Sequence, residues 1–208
     1  MIVQLKKIYH QIVPNYLNFL KKQTQGYQSI LDLGCGPNSI VQHLNIPRKV
    51  GVELFEPYLQ ESIKKSIHSE YIQADIRTLD ITDKSFDIVY MSEVLEHLSK
   101  QEGAELLAKM SRWAKHKVII TTPNGFIEQG EVDSNKLQEH RSGWTVKDLG
   151  QNGFKVYGMA GMKSLRGYRS TIKYKPEIFW NHISAMSEFF VFKIPNAAFQ
   201  LIGIKYIS

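Results

Sequence analysis

Ile30-Leu31-Asp32-Leu33-Gly34-Cys35-Gly36-Pro37-Asn38-Ser39 decides how the rest of the chain is read. A short apolar run ends in an acid, and two glycines follow at a spacing of two. The run reads as a buried strand and the glycines as the tight turn that leaves it. Glycine at such a turn lets backbone approach a ligand closely, and in α/β proteins nucleotide-like cofactors bind at the carboxyl ends of parallel strands. A dinucleotide site needs Gly-x-Gly-x-x-Gly/Ala, and Ser39 stands at the third position. A second reading takes the acid into the motif, as Asp32-x-Gly34-x-Gly36. Asn38, two residues on, tolerates positive φ better than most non-glycine residues. The plainest alternative is an ordinary strand-to-helix turn.

Two further strand-like segments end in acids. Lys49-Val50-Gly51-Val52-Glu53 places a carboxylate roughly twenty residues past the first turn, where a ribose-binding acid is expected. Tyr71-Ile72-Gln73-Ala74-Asp75-Ile76 places another. The three together resemble the cofactor motifs of class I S-adenosylmethionine-dependent methyltransferases of the type 11 kind. The resemblance covers roughly residues 26–160. It implies that Gly34 and Gly36 approach the amino-acid part of the cofactor, with Asp32 orienting the turn or the amine. It also implies that Glu53 holds the ribose hydroxyls, Asp75 the adenine amino group, and that Ile76 packs on the ring. An NAD-type reading has no particular use for Asp75.

The coarse pattern alternates strands with helices, which predicts an α/β, doubly wound, mostly parallel sheet. Strands are predicted at about 29–33, 49–53, 70–74, 86–91, 117–122 and 154–158. Helices are predicted at 5–23, around 38–44, 56–68 (Leu59 and Ile63 facing inward), from Ser92, at 101–113 and at 145–152. The resemblance adds a closing antiparallel strand, 197–207, giving the seven-stranded Rossmann-like methyltransferase sheet. One domain over 1–208 is expected: an N-terminal lid helix (1–25), a cofactor core (26–160), a basic and aromatic insertion (161–196) and a final strand (197–208). The 208 residues, 43% hydrophobic, suffice for a sizeable core. The single Cys35 allows no intramolecular disulfide and reads as a small filler in the turn. With no apparent signal peptide and no apolar run long enough to span a bilayer, the expected location is the cytoplasm.

Ser92-Glu93-Val94-Leu95-Glu96-His97-Leu98 follows the fourth strand. Read as a helix, it sets Glu93, Glu96 and His97 on one face at i, i+3 and i+4. These types suit a divalent cation, with His140 of Glu139-His140-Arg141-Ser142-Gly143-Trp144-Thr145 as the further ligand. The set resembles metal-assisted small-RNA 3′-terminal 2′-O-methyltransferases and the O-methyltransferases of ubiquinone biosynthesis, as do Thr122-Pro123-Asn124 and His140-x-x-x-Trp144-Thr145. Two readings stand: a metal site of Glu93, Glu96, His97 and His140, or a helix N-terminus whose acids complement the dipole. Without a metal, His140 or His97 is the candidate general base, with Glu93 the third candidate catalytic residue.

The loop from Phe126 to His140 is expected to overhang the methyl-accepting pocket, and Tyr9, His10 and Tyr16 to face substrate or to pack. Lys163, Arg166, Arg169, Lys173 and Lys175, interleaved with Tyr168 and Tyr174, could hold a phosphate or an acidic polymer, or simply form a solvated face. Residues 178–194 offer a core run, a substrate wall, a homodimer contact or a membrane-surface contact. Three function classes follow. The first is S-adenosylmethionine-dependent O-methylation of a small-molecule, lipid-linked or sugar hydroxyl, with RNA 2′-O-methylation as an alternative acceptor class. The others are an NAD-binding oxidoreductase and a non-catalytic cofactor-binding module. The net charge of +6 permits nucleic acid, but no dedicated module is seen.

Overall fold

In a computed structural model of the chain, the structure describes residues 15–167 and 170–208. Tyr9 and His10, with the first part of the expected lid helix, and Tyr168 and Arg169 lie outside the described residues. Helix α1 (Tyr16–Thr24) leads into β1 (Ser29–Leu33); β2 (Arg48–Glu53), α2 (Glu56–Lys64), β3 (Glu70–Gln73) and β4 (Phe86–Ser92) follow. Then come α3 (Lys100–Trp113), β5 (Ala114–Pro123), α4 (Val146–Gln151), β6 (Lys155–Met162), α5 (Glu177–Val191) and β7 (Ala198–Tyr206). The strands form one seven-stranded sheet in the order β3-β2-β1-β4-β5-β7-β6. Neighbours are parallel except that β7 runs antiparallel to both β5 and β6. The mostly parallel Rossmann-like sheet is therefore present, with a mixed edge.

Successive strand residues bury on opposite faces, and both faces are covered. Leu31, Leu33, Val89, Met91, Val118 and Ile120 pack on the side of α3, around Leu106, Leu107, Met110, Trp113 and Trp144. Ile30, Ile88, Tyr90, Ile119, Ile202 and Ile204 pack on the other side with Leu20 and Val41. This two-sided burial is why β1 and β4 read as continuous apolar runs rather than alternating ones. The chain leaves β1 toward β2 and β3, then returns to β4 on the other side. The strand order reverses between β1 and β4, and the crevice at their carboxyl ends is the expected ligand site.

Several elements differ from the sequence reading. The stretch 38–44 is a short 3-10 turn, Ile40–His43, capped by the Ser39 hydroxyl rather than a longer helix. On α2, Leu59 faces inward as expected, but Ile63 is exposed and Ser62 takes the buried place. No helix starts at Ser92: β4 runs through that residue, Glu93 turns the chain at φ +53°, and only a 3-10 turn, Leu95–His97, follows. The i, i+3, i+4 face is thus not what brings these residues together. The true helix, α3, begins after Ser99, which caps it in a reciprocal box with Glu102.

Candidate functional site

At the switch point lies a cavity of about 660 Å³, within the range of small-molecule sites. Its floor is the β1 turn. Gly34 and Gly36 sit at φ +65° and +55°, a region costly for residues with a Cβ, and a Cβ on Gly34 would overlap the Val94 side chain. Asn38 uses no positive φ; its side-chain oxygen accepts from the Lys65 ammonium at 2.6 Å. Asp32 is 2% exposed, and its Oδ2 accepts from the Ser39 hydroxyl at 2.6 Å and meets His68 Nε2 at 2.8 Å. Ser39, which spoils a dinucleotide motif, therefore locks the turn to its own acid and also accepts from Val41 N–H. His68 was not legible in sequence; it is one imidazole in a loop before β3, with no spacing to mark it. Gly51 makes room for it, since a Cβ there would strike the ring. Cys35 is buried beside Asp32 and Glu53, and burial pushes its thiol well above the usual range, so it is an inert filler.

Around the walls stand the other expected cofactor residues: Glu53, Asp75 and Ile76 all line the cavity. Glu53 accepts from Gly36 N–H at 3.0 Å and Phe55 N–H at 2.9 Å, so it already joins the ends of β1 and β2. Asp75 is clasped by the Arg77 guanidinium, with contacts of 2.6–3.0 Å, which holds its carboxyl below the ordinary value. The loop after β5 does overhang the cavity. Asp133 and Asn135 to Gln138 line it, and the Tyr58 hydroxyl of α2 donates to Asp133 at 2.8 Å across the mouth. Tyr16 and Tyr90 line the far wall with their hydroxyls 2.6 Å apart.

Beyond β4 three of the four candidate ligand residues gather by a different route from a helical face. The backbone N–H groups of Arg141 and Ser142 donate to the Glu96 carbonyl, pulling the 139–142 strand of the loop onto the 3-10 turn. One ligand atom each from Glu96, His97 and His140 then lies within 4.8 Å of the others. Glu93 stands apart from that trio, accepting from the Thr121 hydroxyl at 2.8 Å, while Glu96 accepts from Thr122 at 3.1 Å. Burial pushes both carboxyls up, and their proximity pushes Glu96 further. Burial lowers His97 to about 4 and lowers His140 as well. His97 Nδ1 meets the Glu139 carbonyl at 3.2 Å and His140 Nδ1 meets that of Ile127 at 2.6 Å. A carbonyl only accepts, so both Nδ1 atoms carry the proton. This is the arrangement found in metal-ligating histidines, whose outer nitrogen is held by a carbonyl. The donor set, one carboxylate and two neutral imidazoles, fits a borderline divalent ion, and a cation would offset the charge that burial disfavours on Glu96.

The basic insertion is partly spent internally. The Lys163 ammonium donates to the Asn124 carbonyl, and Arg166 to the Ser170 carbonyl and hydroxyl at 2.7 and 3.0 Å. Lys173 and Lys175 remain exposed.

Comparison with known proteins agrees with this geometry. Residues 31–121 match the methyltransferase domain family. The chain is 25% identical over 125 residues to the malonyl-[acyl-carrier protein] O-methyltransferase of Enterobacter lignolyticus, covering 59% of this chain and 46% of that protein. The corresponding protein of Pseudescherichia vulneris matches at the same identity, over 58% and 45%. The chain thus spans about half the length of the curated relatives it matches. In fold it is similar to an S-adenosylmethionine-dependent methyltransferase from Archaeoglobus fulgidus, with a TM-score of 0.57, 18% identity and coverage of 97% and 99%. It is likewise similar to magnesium protoporphyrin IX methyltransferase of Synechocystis with bound S-adenosylmethionine, with a TM-score of 0.53, 16% identity and coverage of 99% and 81%. Fold and crevice define the class I methyltransferase architecture. Within that architecture, the match over residues 31–121 marks a methyltransferase domain.

Proposed function

We propose that the chain transfers the methyl group of S-adenosylmethionine to an acceptor oxygen, on a small molecule, a lipid or a sugar. The observation that carries this is the cavity at the β1–β4 switch point, walled by Gly34, Gly36, Glu53 and Asp75 and opening onto Glu93 and His97. Gly34 and Gly36 admit the amino-acid part of the cofactor. Glu53, facing the cavity from the end of β2, is placed to accept from the ribose hydroxyls, and Asp75 with Ile76 borders the adenine side. The curated relatives are also named for oxygen methylation, which supports an oxygen acceptor here. An NAD reading has neither the third glycine nor a use for Asp75.

The acceptor oxygen attacks the methyl carbon in line, the sulfur–carbon electron pair leaves with sulfur, and the acceptor hydroxyl must give up its proton. Positioning supplies much of the rate, since the leaving group is already good. Two routes exist for the proton. His97 borders the cavity, but its imidazole, lowered to about 4, is a weak base near neutrality. The Glu96–His97–His140 cluster favours the metal-assisted route. A divalent ion held there would lower the pKa of a bound hydroxyl. Glu96, His97 and His140 would hold it, with Glu93 bordering the acceptor.

Calorimetry with S-adenosylhomocysteine against NADH tests the class: tight binding of the first and none of the second is expected, and the reverse overturns it. Acceptor pools incubated with labelled cofactor then test the chemistry. Turnover lost to a chelator and restored by a divalent ion supports the metal route; chelator-resistant turnover that collapses in His97→Ala supports the base.

A further inference from the structure

Helix α5 is turned inside out. Its inward side carries Ser184 and Val191, both fully buried, and these press so closely on β6 that a Cβ on Gly161 or Gly158 would overlap them. Ser187 on the same side receives the Met162 N–H. The large side chains point the other way: Ile178 is 76% exposed, Met186 67%, Phe189 57%, and Phe179 and Phe190 54% each. With His182, these residues fall on an arc of about 120° at 100° per residue, one continuous stripe. Such a face is costly to leave in water and marks an interaction surface.

We propose that this stripe lies flat on an anionic lipid leaflet. Charge and composition select that partner. Lys173 and Lys175 stand exposed at the approach to the helix and Lys193 at its end, with the Lys193 ammonium 5.8 Å from the Phe189 ring. Of the two acids on α5, Glu177 sits in the first turn, away from the stripe, and Glu188 is half-buried on the inward side. Tyr174, Phe179 and Trp180 cluster at the amino-terminal end, with ring centroids 5.1 and 5.3 Å apart, and Tyr and Trp favour the headgroup level. An apolar stripe with basic ends and an aromatic corner is the pattern of an interfacial helix. Among the described residues no helix is long and apolar enough to cross a membrane, so α5 lies on the leaflet rather than through it. The inference does not depend on the methyltransfer reading, because no residue of the cofactor cavity takes part.

The full-length protein and sonicated vesicles test it. Trp113 and Trp144 are buried, so among the three tryptophans Trp180 is the half-exposed reporter. Vesicles of phosphatidylcholine with phosphatidylglycerol should co-sediment the protein and shift its emission to the blue, while pure phosphatidylcholine does so weakly. Each lysine near an anionic surface is worth about fivefold in partitioning, so replacing Lys173, Lys175 and Lys193 together by Ala should weaken binding on the order of a hundredfold, and high salt should do likewise. Phe179→Ser with Phe189→Ser and Phe190→Ser should abolish binding while leaving the cofactor-induced rise in melting temperature unchanged, which shows that the fold is intact. No binding to anionic vesicles, or equal binding to neutral ones, overturns the proposal. So does a concentration-dependent dimer that the phenylalanine variants dissociate without any vesicle binding.

Discussion

Glu53 is the residue on which the cofactor assignment turns. Its two oxygens already hold Gly36 N–H and Phe55 N–H, which fixes the carboxylate at the cavity wall. Glu53→Ala removes a charge-assisted contact worth a few kcal/mol, and affinity for S-adenosylhomocysteine should fall on the order of a hundredfold in calorimetry. Unchanged affinity would reject the ribose role. Beneath it, His68 is the buried partner of Asp32, with its Nδ1 unpartnered. His68→Ala should cost about 2–3 kcal/mol, since hydrogen bonds to a charged group lie in that range, and should lower the urea midpoint accordingly. His97 gives a pH signature. Burial holds it at about 4 in the folded chain against 6.5 when free. Between those values the unfolded state binds more protons, so stability falls as pH drops from 6.5 toward 4. Melting temperature against pH in the presence of chelator should show this slope, and His97→Gln should flatten it; an unaltered slope places the titration elsewhere.

Among the elements, α3 and the turn before it show how packing overrules propensity. Gly103 lies inside α3, where Ala is the better helix former by about 1 kcal/mol. A Cβ there would stand 2.6 Å from the Trp144 ring and 3.0 Å from Leu95. Overpacking of a closed core costs about 1–3 kcal/mol, so Gly103→Ala should destabilise despite its propensity. Because Trp144 and Leu95 flank the Glu96–Ser142 contact, the same substitution should also disturb the candidate ligand cluster. Chemical denaturation and the metal dependence of turnover check both parts. Glu93 illustrates the converse. A non-glycine residue at φ +53° is uncommon, and here it lets β4 end with a carboxyl turned to Thr121.

At the scale of the whole molecule, the switch-point crevice is bridged by a loop that begins on the other side of β4. The Tyr58–Asp133 contact spans α2 and the 126–140 loop, and burial with Asp133 raises the Tyr58 phenol to about 12. Tyr58→Phe removes that bond, worth about 1 kcal/mol, and should speed cofactor release severalfold with little change in melting temperature. Stopped-flow release of a fluorescent analogue would measure it, and an unaltered rate would show that the contact is not a latch.

The sequence by itself determined the alternation of strands and helices, the acid at the end of each of the first three segments, and the glycine turn. Each is a local property: periodicity of burial within a strand, and backbone freedom at Gly34 and Gly36. Spacing along the chain also singled out Glu93, Glu96, His97 and His140, but for a reason the structure replaces. The first three were joined on a helical face that does not exist, and a 3-10 turn, a left-handed Glu93 and two backbone bonds from 141–142 to Glu96 join three of the four instead. Only tertiary structure decided the partnership of His68 with Asp32, the exposure of Ile63 and the outward-facing aromatics of α5. Those follow from which surface each residue meets, and contacts between residues distant in the chain leave no period or spacing in the sequence.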